Sequence, residues 1–535
     1  MDTVKRAILV LLCASMVLAT ATDSLGASAG AALPAGPDSR RAAAPRPNII
    51  LILADDLGYA DVSAYPGGRF HTPNIARIAR NGVLFTDGYA TAPVCGPSRA
   101  AFLTGRYQQR FGFEYNNGPA RRDLGRGLGL ATGELTIAQL LQRAGYYTGM
   151  IGKWHLGSGR NFYPTSRGFD QFVGFLPGET SYIDPNAPGV HLSYGPLGDG
   201  VIHAALGRAL ADRKIDTAAD ADFGGKAAQA VRYFSRGPLN QIVEGPRRRI
   251  VHNAKEYLTD YFGDRAVGFI HDHAQSGRPY FLYLAFNAPH APHMVTAKYY
   301  DRFPQIKDHQ QRVYAAMIAA LDENIGRVLD AVQASGEADR TLIVFASDNG
   351  CAAYFPGLCS CSPLRGGKLS YYEGGIRVPF MMRWPGHIPS GLAYRRMVSL
   401  LDVLPTAVAA AHGTLPSDRV YDGVDLTPYL TGRKRGDPHK MLAWRALPLE
   451  AIREGNWKLW ESAGGEDGQY GRYQLLFDLG TDLNEAHDLA GSEPRELRRL
   501  AADISRWSSG MTAPKWPTKR PVTYDVCGRT FKLPI

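Results

Sequence analysis

The feature that most constrains this chain is the run Asn48-Ile49-Ile50-Leu51-Ile52-Leu53-Ala54, which stops abruptly at Asp55-Asp56. A run of strand length that is apolar at consecutive positions has no polar face to give to water. Such runs are typical of parallel strands covered on both sides. The β-branched residues and the acidic stop argue against a short buried helix. Tyr280 to Phe286 and Leu342-Ile343-Val344-Phe345-Ala346 repeat the pattern. Helical signals lie between these runs. Thr72-Pro73 reads as an N-cap followed by proline at the first helical position, with Gly82 ending the helix. Thr136 and Gln139 form a capping-box pattern, and Gly145 stops the helix that carries Ile137, Leu140 and Leu141. Met317, Leu321, Ile325, Val328 and Val332 make a helical face over 313–332. Strands alternating with helices predict an α/β fold with a mostly parallel sheet flanked by helices.

The tail has a different rhythm. Ala451-Ile452-Arg453, Trp457-Lys458-Leu459-Trp460 and Tyr473 to Phe477 read as short strands among turn residues, and Glu493 to Trp507 reads as a helix. A smaller C-terminal α+β domain is expected over 436–535, after a main domain over 47–435. Residues 186–240 break the α/β rhythm and read as an insertion, of peripheral structure rather than a wall of the substrate pocket. With 45% hydrophobic and 21% charged residues, the chain is globular in composition, so disorder is expected only at its ends.

The beginning reads as an export signal. Lys5 and Arg6 precede the apolar stretch from Ala7 to Leu18, which is too short to span a bilayer. Ala19-Thr20-Ala21 supplies the small residues of a cleavage site, with Ala27-Ser28-Ala29 as a second candidate. Residues 1–29 are thus expected to hold the signal and the start of a linker that continues over 30–46. Cys13 lacks small residues before it, so a lipid anchor is not expected, and no later stretch suits membrane insertion. The mature protein is expected to be exported, periplasmic or secreted.

Export permits disulfides. Cys351, Cys359, Cys361 and Cys527 allow three pairings, and a stapled loop is preferred to a metal cluster because no zinc spacing with histidine partners is present. The net charge of +10 comes without a basic stripe or a nucleic-acid motif, since Arg247-Arg248-Arg249 is one short run. It fits either a solvated basic surface or attraction to an anionic substrate.

Sites in parallel α/β sheets gather at the carboxyl ends of strands. Three such ends carry polar residues here: Asp55-Asp56, Asn287-Ala288-Pro289-His290 and Asp348-Asn349-Gly350. One aspartate after a strand is usually a cap or a turn former. Two oxygen-rich pairs together suit a hard divalent cation, Ca²⁺ or Mg²⁺, whereas zinc would want clustered thiolates or imidazoles.

The segment Cys95-Gly96-Pro97-Ser98-Arg99, followed by Leu103-Thr104-Gly105-Arg106, resembles the signature of the sulfatase family. Further resemblances occur in order: Asp55-Asp56-Leu57-Gly58, Gly152-Lys153-Trp154-His155-Leu156-Gly157, Asp348-Asn349-Gly350, Arg365-Gly366-Gly367-Lys368 and Glu373-Gly374-Gly375-Ile376-Arg377-Val378-Pro379. The resemblance covers roughly residues 47–510, most specifically these motif segments. The departure is the cysteine-rich loop from Cys351 to Cys361, which bears on pocket shape. The resemblance implies an alkaline-phosphatase-like fold. It also implies that Cys95 is converted to 3-oxoalanine (formylglycine) by a separate formylglycine-generating enzyme. The hydrated aldehyde would attack sulfate with one hydroxyl and keep a second to expel it, which is covalent catalysis with built-in release. By the same resemblance Asp55, Asp56, Asp348, Asn349 and the nucleophilic oxygen of residue 95 would contact one divalent metal, Ca²⁺ before Mg²⁺. Arg99 would hold the diol, Lys153 and Lys368 would bind sulfate oxygens, and His155 would assist diol breakdown. His290 would protonate the leaving oxygen, with His293 as the neighbouring alternative.

The expected reaction is hydrolysis of sulfate esters, of sulfated carbohydrates first and of aryl sulfates as artificial substrates. A phosphomonoester or phosphonate-ester hydrolase of the same superfamily is the enzymatic alternative. A non-catalytic protein that binds sulfated glycans is the alternative from another class, and the intact set of charged residues argues against it.

Overall fold

The computed structural model describes residues 46–117, 127–184, 187–193, 241–252, 256–355, 357–358, 360, 363–464, 470–516, 522–526 and 529–533. The expected signal and linker up to residue 45 lie outside these, as do 194–240 of the expected insertion.

The run that opened the sequence forms the strand Asn48–Ala54, buried at every position. Its residues split alternately between two cores. Ile49, Leu51 and Leu53 enter one apolar cluster, while Ile50, Ile52 and Ala54 enter another on the opposite face. Successive side chains of a strand point to opposite faces, so a run without polar positions can be satisfied only where both faces are covered. The strand Tyr280–Ala285 divides the same way, with Phe281 and Tyr283 on the first face and Leu282 and Leu284 on the second. Each such large side chain contributes about 1.5–3 kcal/mol on burial.

These strands belong to a ten-stranded sheet. Its order is Leu392–Tyr394, Val83–Phe85, Phe380–Arg383, Thr341–Ser347, Asn48–Ala54, Tyr280–Ala285, Tyr147–Lys153, Gln171–Phe175, Gln241–Glu244 and Arg249–His252. The five strands from Thr341–Ser347 to Gln171–Phe175 run parallel. Antiparallel pairings begin on either side of them, at Phe380–Arg383 and at Gln241–Glu244. The helices Pro73–Arg80, Leu258–His273 and His309–Ala334 pack on one face. Cys95–Thr104, Ile137–Arg143 and Val403–Ala410 pack on the other.

The local signals held with one exception. The Thr136 hydroxyl accepts from Gln139 N at 3.2 Å, and Thr136 N donates to the Gln139 side chain at 3.0 Å. The helix starts at Pro73, as the sequence predicts, but the Thr72 side chain does not cap it. Its Oγ1 instead accepts from Ser63 N at 2.9 Å, and the first turn donates Ile75 N to the Asp322 carboxylate at 2.8 Å.

At the C-terminus, Met441–Ala446, Leu449–Glu454, Trp457–Gly464 and Gly471–Asp478 form a four-stranded antiparallel sheet. One face, with Ile452, Leu459 and Leu476, is covered by Leu500 and Ile504 of the helix Pro494–Ser509. The other face lays Trp444, Ala451, Trp460, Leu475 and Phe477 into the core of the large sheet. Its buried cations follow the same direction: Lys458 Nζ meets Glu373 at 2.9 Å and Glu485 at 2.8 Å, and Arg453 meets Asp87 at 2.9 Å. The expected small domain is therefore a layer sharing a core with the large one. Among the described residues, no helix is long and apolar enough to cross a membrane.

Candidate active site

Strand register brings the acidic pairs together. Asn48–Ala54 and Thr341–Ser347 are parallel, with Ala54 opposite Ser347. Asp55 and Asp348 are the next residues on each, and therefore emerge side by side. The neighbouring pairs Leu53–Ala285 and Gly152–Ala285 carry the segment to His290 and the residue Lys153 to the same edge. Four adjacent strands thus deliver their carboxyl ends to one place. Cys95 approaches that edge as the first residue of the helix Cys95–Thr104. That turn carries partial positive charge from its N–H groups.

The charged side chains interlock. Lys153 Nζ lies 2.5 Å from Asp55 Oδ2, and Lys368 Nζ lies 2.8 Å from Asp56 Oδ2. Arg99 Nε donates to Asp348 Oδ2 at 2.8 Å, and its Nη1 donates to Lys153 O at 3.2 Å. Asn349 Nδ2 donates to Asp56 Oδ1 at 2.8 Å. Cys95 Sγ sits 3.4 Å from Lys368 Nζ and 4.0 Å from Asp56 Oδ1. His290 Nε2 is 3.0 Å from Lys368 Nζ and 3.6 Å from Asp56 Oδ2. His155 N donates to Leu176 O at 3.1 Å, which places the residue beside Lys153, and its Nδ1 is buried without a hydrogen-bond partner. Asp56 (φ 61°), His155 (φ 58°) and Leu369 (φ 77°), next to Lys368, adopt left-handed backbone that non-glycine residues avoid. Such strain is retained where the surrounding structure over-determines it.

Burial and charge compete at each group. Burial alone would push the Cys95 thiol up, but Lys153 and Lys368 outweigh it and bring it down to about 6. An anion at position 95 is therefore favoured. At His290, burial and Lys368 oppose protonation, yet Asp55 and Asp56 prevail and raise it to about 9. At Asp56, burial loses to Lys368 and His290, and the carboxyl is held well below its ordinary range. At Asp55 and Asp348, burial wins over Lys153 and Arg99 respectively, and both carboxyls are raised. His293, the neighbouring alternative, faces a different environment. Burial lowers it to about 3, and its ring packs against Phe355 at 5.1 Å and Tyr314 at 5.9 Å.

The same imbalance tests the site for a metal. The protein's own cations leave Asp55 and Asp348 undercompensated. Asp55 Oδ1 and Asn349 Oδ1 are buried without a hydrogen-bond partner. Asp55, Asp56, Cys95 and His290 each offer a ligand atom within 4.8 Å of the others. The thiol and the imidazole join the acidic pairs here, against the sequence expectation, but with the buried Asp348 and Asn349 beside them oxygen donors outnumber sulfur and nitrogen, so the wider set fits a hard divalent cation.

Some neighbours had no signal in the sequence. Tyr182 donates its hydroxyl to Asn287 O and to His290 O, the latter at 2.8 Å, and so fixes the turn that carries His290. Ser347 Oγ accepts from Leu57 N at 3.0 Å and donates to Asn349 O at 2.8 Å, joining the two acidic loops. A tyrosine in a loop and a serine at a strand end are too common to single out. In the cysteine-rich loop, Cys351 is disulfide-bonded, while Cys359, Cys361 and Cys527 lie outside the described residues.

The sulfatase family model matches residues 47–414. Arylsulfatase G of Rattus norvegicus is 33% identical over 488 residues, covering 86% of this chain and 86% of that protein. N-acetylgalactosamine-6-sulfatase of Canis lupus familiaris is 32% identical over 426 residues, covering 78% and 72%. Among solved structures, Ps i-CgsB in complex with k-i-k-neocarrahexaose superimposes with a TM-score of 0.73 at 32% identity, covering 88% of this chain and 95% of that one.

Proposed function

Because the chain belongs to the sulfatase family of sulfuric ester hydrolases, within the alkaline-phosphatase-like superfamily, we propose that it cleaves sulfate esters of carbohydrates with a nucleophile derived from Cys95. The observation that carries this reading is the placement of Cys95, buried at a helix start between Lys368, Asp56 and the cations that lower its pKa. The carbohydrate reading draws on the saccharide-bound relative and the N-acetylgalactosamine-6-sulfatase.

Oxidised by a formylglycine-generating enzyme and hydrated, residue 95 would supply one hydroxyl for attack on sulfur and a second for release of sulfate. Asp55, Asp56, Asp348 and Asn349 would hold one divalent cation, Ca²⁺ first and Mg²⁺ second, which would polarise the sulfate and acidify the hydroxyl of residue 95. The chain's own groups do the rest. Lys153 and Lys368 present fixed positive charge to the sulfate in a buried site, where such charges need no reorganisation. Arg99, held by Asp348 and Lys153 O, orients residue 95. His155, kept neutral by burial and surrounding cations, can accept a proton from the second hydroxyl. His290, protonated by its setting, carries a proton on Nε2 for the departing oxygen. The apolar stretch at 7–18 supports an exported, periplasmic or secreted location.

The test is turnover of matched 4-nitrophenyl sulfate and 4-nitrophenyl phosphate by protein matured with a formylglycine-generating enzyme, with the mass of the Cys95 peptide read alongside. The expected result is an aldehyde at residue 95 and a higher kcat/KM for the sulfate. A preference for the phosphate would move the assignment to a phosphomonoester or phosphonate-ester hydrolase.

A further inference from the structure

One carboxylate beside this site has no role in the chemistry above. Glu179 follows the strand Gln171–Phe175 on a loop clamped to the site at both ends. At one end Leu176 O accepts from His155 N at 3.1 Å. Gly178 lies so close to His155 that a Cβ there would sit 2.7 Å from its Nε2. At the other end, the Tyr182 hydroxyl bonds the carbonyls of Asn287 and His290. Glu179 is thus held between the two site histidines and remains partly exposed. It makes no hydrogen bond or ion pair with the described residues. Burial raises its carboxyl, while His290, Lys153 and Lys368 act on it in the opposite sense, which places it within their field.

An ionised carboxylate beside a sulfate pocket opposes every substrate. Asp55, Asp56 and Asp348 are each paired with a cation of the protein, whereas Glu179 is not. Such a carboxylate contributes to turnover only if the substrate brings a donor to it. An aryl sulfate such as 4-nitrophenyl sulfate has no donor beside its ester, but a saccharide sulfated at a secondary ring position carries a hydroxyl on an adjoining carbon. We propose that Glu179 is the residue that reads the saccharide, its carboxylate accepting a hydrogen bond from a hydroxyl next to the scissile sulfate ester. The inference rests on the sulfatase reading and adds the recognition that selects sugar over aryl substrates. It also predicts rejection of substrates with a second anionic group at that neighbouring position.

The experiment is a cycle on the matured protein. The substrates are the best-cleaved galactopyranoside among singly 2-, 3- and 4-sulfated forms and its analogues methylated singly at each neighbouring hydroxyl. The proteins are wild type, Glu179→Ala and the near-isosteric Glu179→Gln, with folding checked by thermal melting. Hydrogen bonds to charged groups are worth enough that methylation should lower wild-type kcat/KM by about tenfold or more. In Glu179→Ala the same methylation should change kcat/KM by less than about threefold, because the acceptor is gone. Glu179→Gln, which keeps an oxygen but loses the charge, should fall between them. An equal methylation penalty in wild type and Glu179→Ala would overturn the proposal, as would wild-type protein that cleaves no saccharide sulfate. Wild-type turnover of 4-nitrophenyl sulfate reports separately on the hydrolase reading.

Discussion

Replacing His290 with alanine should slow a sugar or alkyl sulfate far more than a nitro-activated aryl sulfate. Two effects of the substitution have to be separated. The first is loss of a positive charge. His290 Nε2 is 3.6 Å from Asp56 Oδ2 and 3.0 Å from Lys368 Nζ. At an effective dielectric constant of about 20, each contact is worth roughly 5 kcal/mol, one attractive and one repulsive. These two largely offset each other while Asp55 tips the balance towards the cation, so removing the charge should disturb the pocket to the same degree for every substrate. The second effect is loss of the proton on Nε2. An alkoxide leaving group needs that proton, and general acid catalysis typically supplies about 10²–10⁴-fold. An activated phenolate departs without it. The assay is kcat/KM for both substrate classes in wild type, His290→Ala, Lys153→Ala and Lys368→Ala, with folding checked by melting temperature. The sugar sulfate should lose at least about 100-fold in His290→Ala, and the aryl sulfate much less. The lysine variants should lower both classes evenly, since sulfate is common to them. Equal losses on both substrates in His290→Ala would refute the reasoning and make His293 the next residue to test.

The proposed metal ligands and the buried network around Lys458 yield two more tests. Asp348→Ala removes a proposed oxygen ligand and the partner of Arg99, so calorimetric Ca²⁺ or Mg²⁺ binding should weaken by about tenfold or more with activity lost; full wild-type activity after exhaustive chelation, or stoichiometric zinc by elemental analysis, would count against the site. Glu485, raised by burial to about 7 despite Lys458, favours its neutral form in the fold. Its contribution to stability is therefore present below pH 4.5, the ordinary value, and is lost as pH rises through about 7. Glu485→Gln mimics the neutral form, so its melting temperature relative to wild type should rise by roughly 3 °C between pH 5 and pH 8.5; a constant difference across that range would refute the assignment.

The legible parts of this protein are those in which chemistry is contiguous along the chain. The sheet could be read because Asn48 to Ala54 leaves no polar face, and its two cores follow from that alternation. The acidic pairs could be read because each directly follows a strand, and parallel register then sets them side by side. Less was legible where a partner comes from far along the chain. Thr72 looked like a cap, but the cap preference lost to Ser63, which offered a better-placed partner. Lys458 lies in a short strand whose sequence names no partner for it, and it is buried against Glu373, 85 residues away in sequence. Glu179 and Tyr182 carry no periodicity at all. His290 and His293 sit in one motif and differ only by environment, one among carboxylates and the other among aromatic rings.

The central claim is that residue 95 itself performs the attack. The most direct measurement is steady-state turnover of 4-nitrophenyl sulfate by matured wild-type protein and by Cys95→Ala, compared at matched melting temperatures. Cys95→Ala deletes a small buried side chain at a helix start, so the fold should persist while nearly all turnover disappears. Sustained turnover by a folded Cys95→Ala protein would contradict the account.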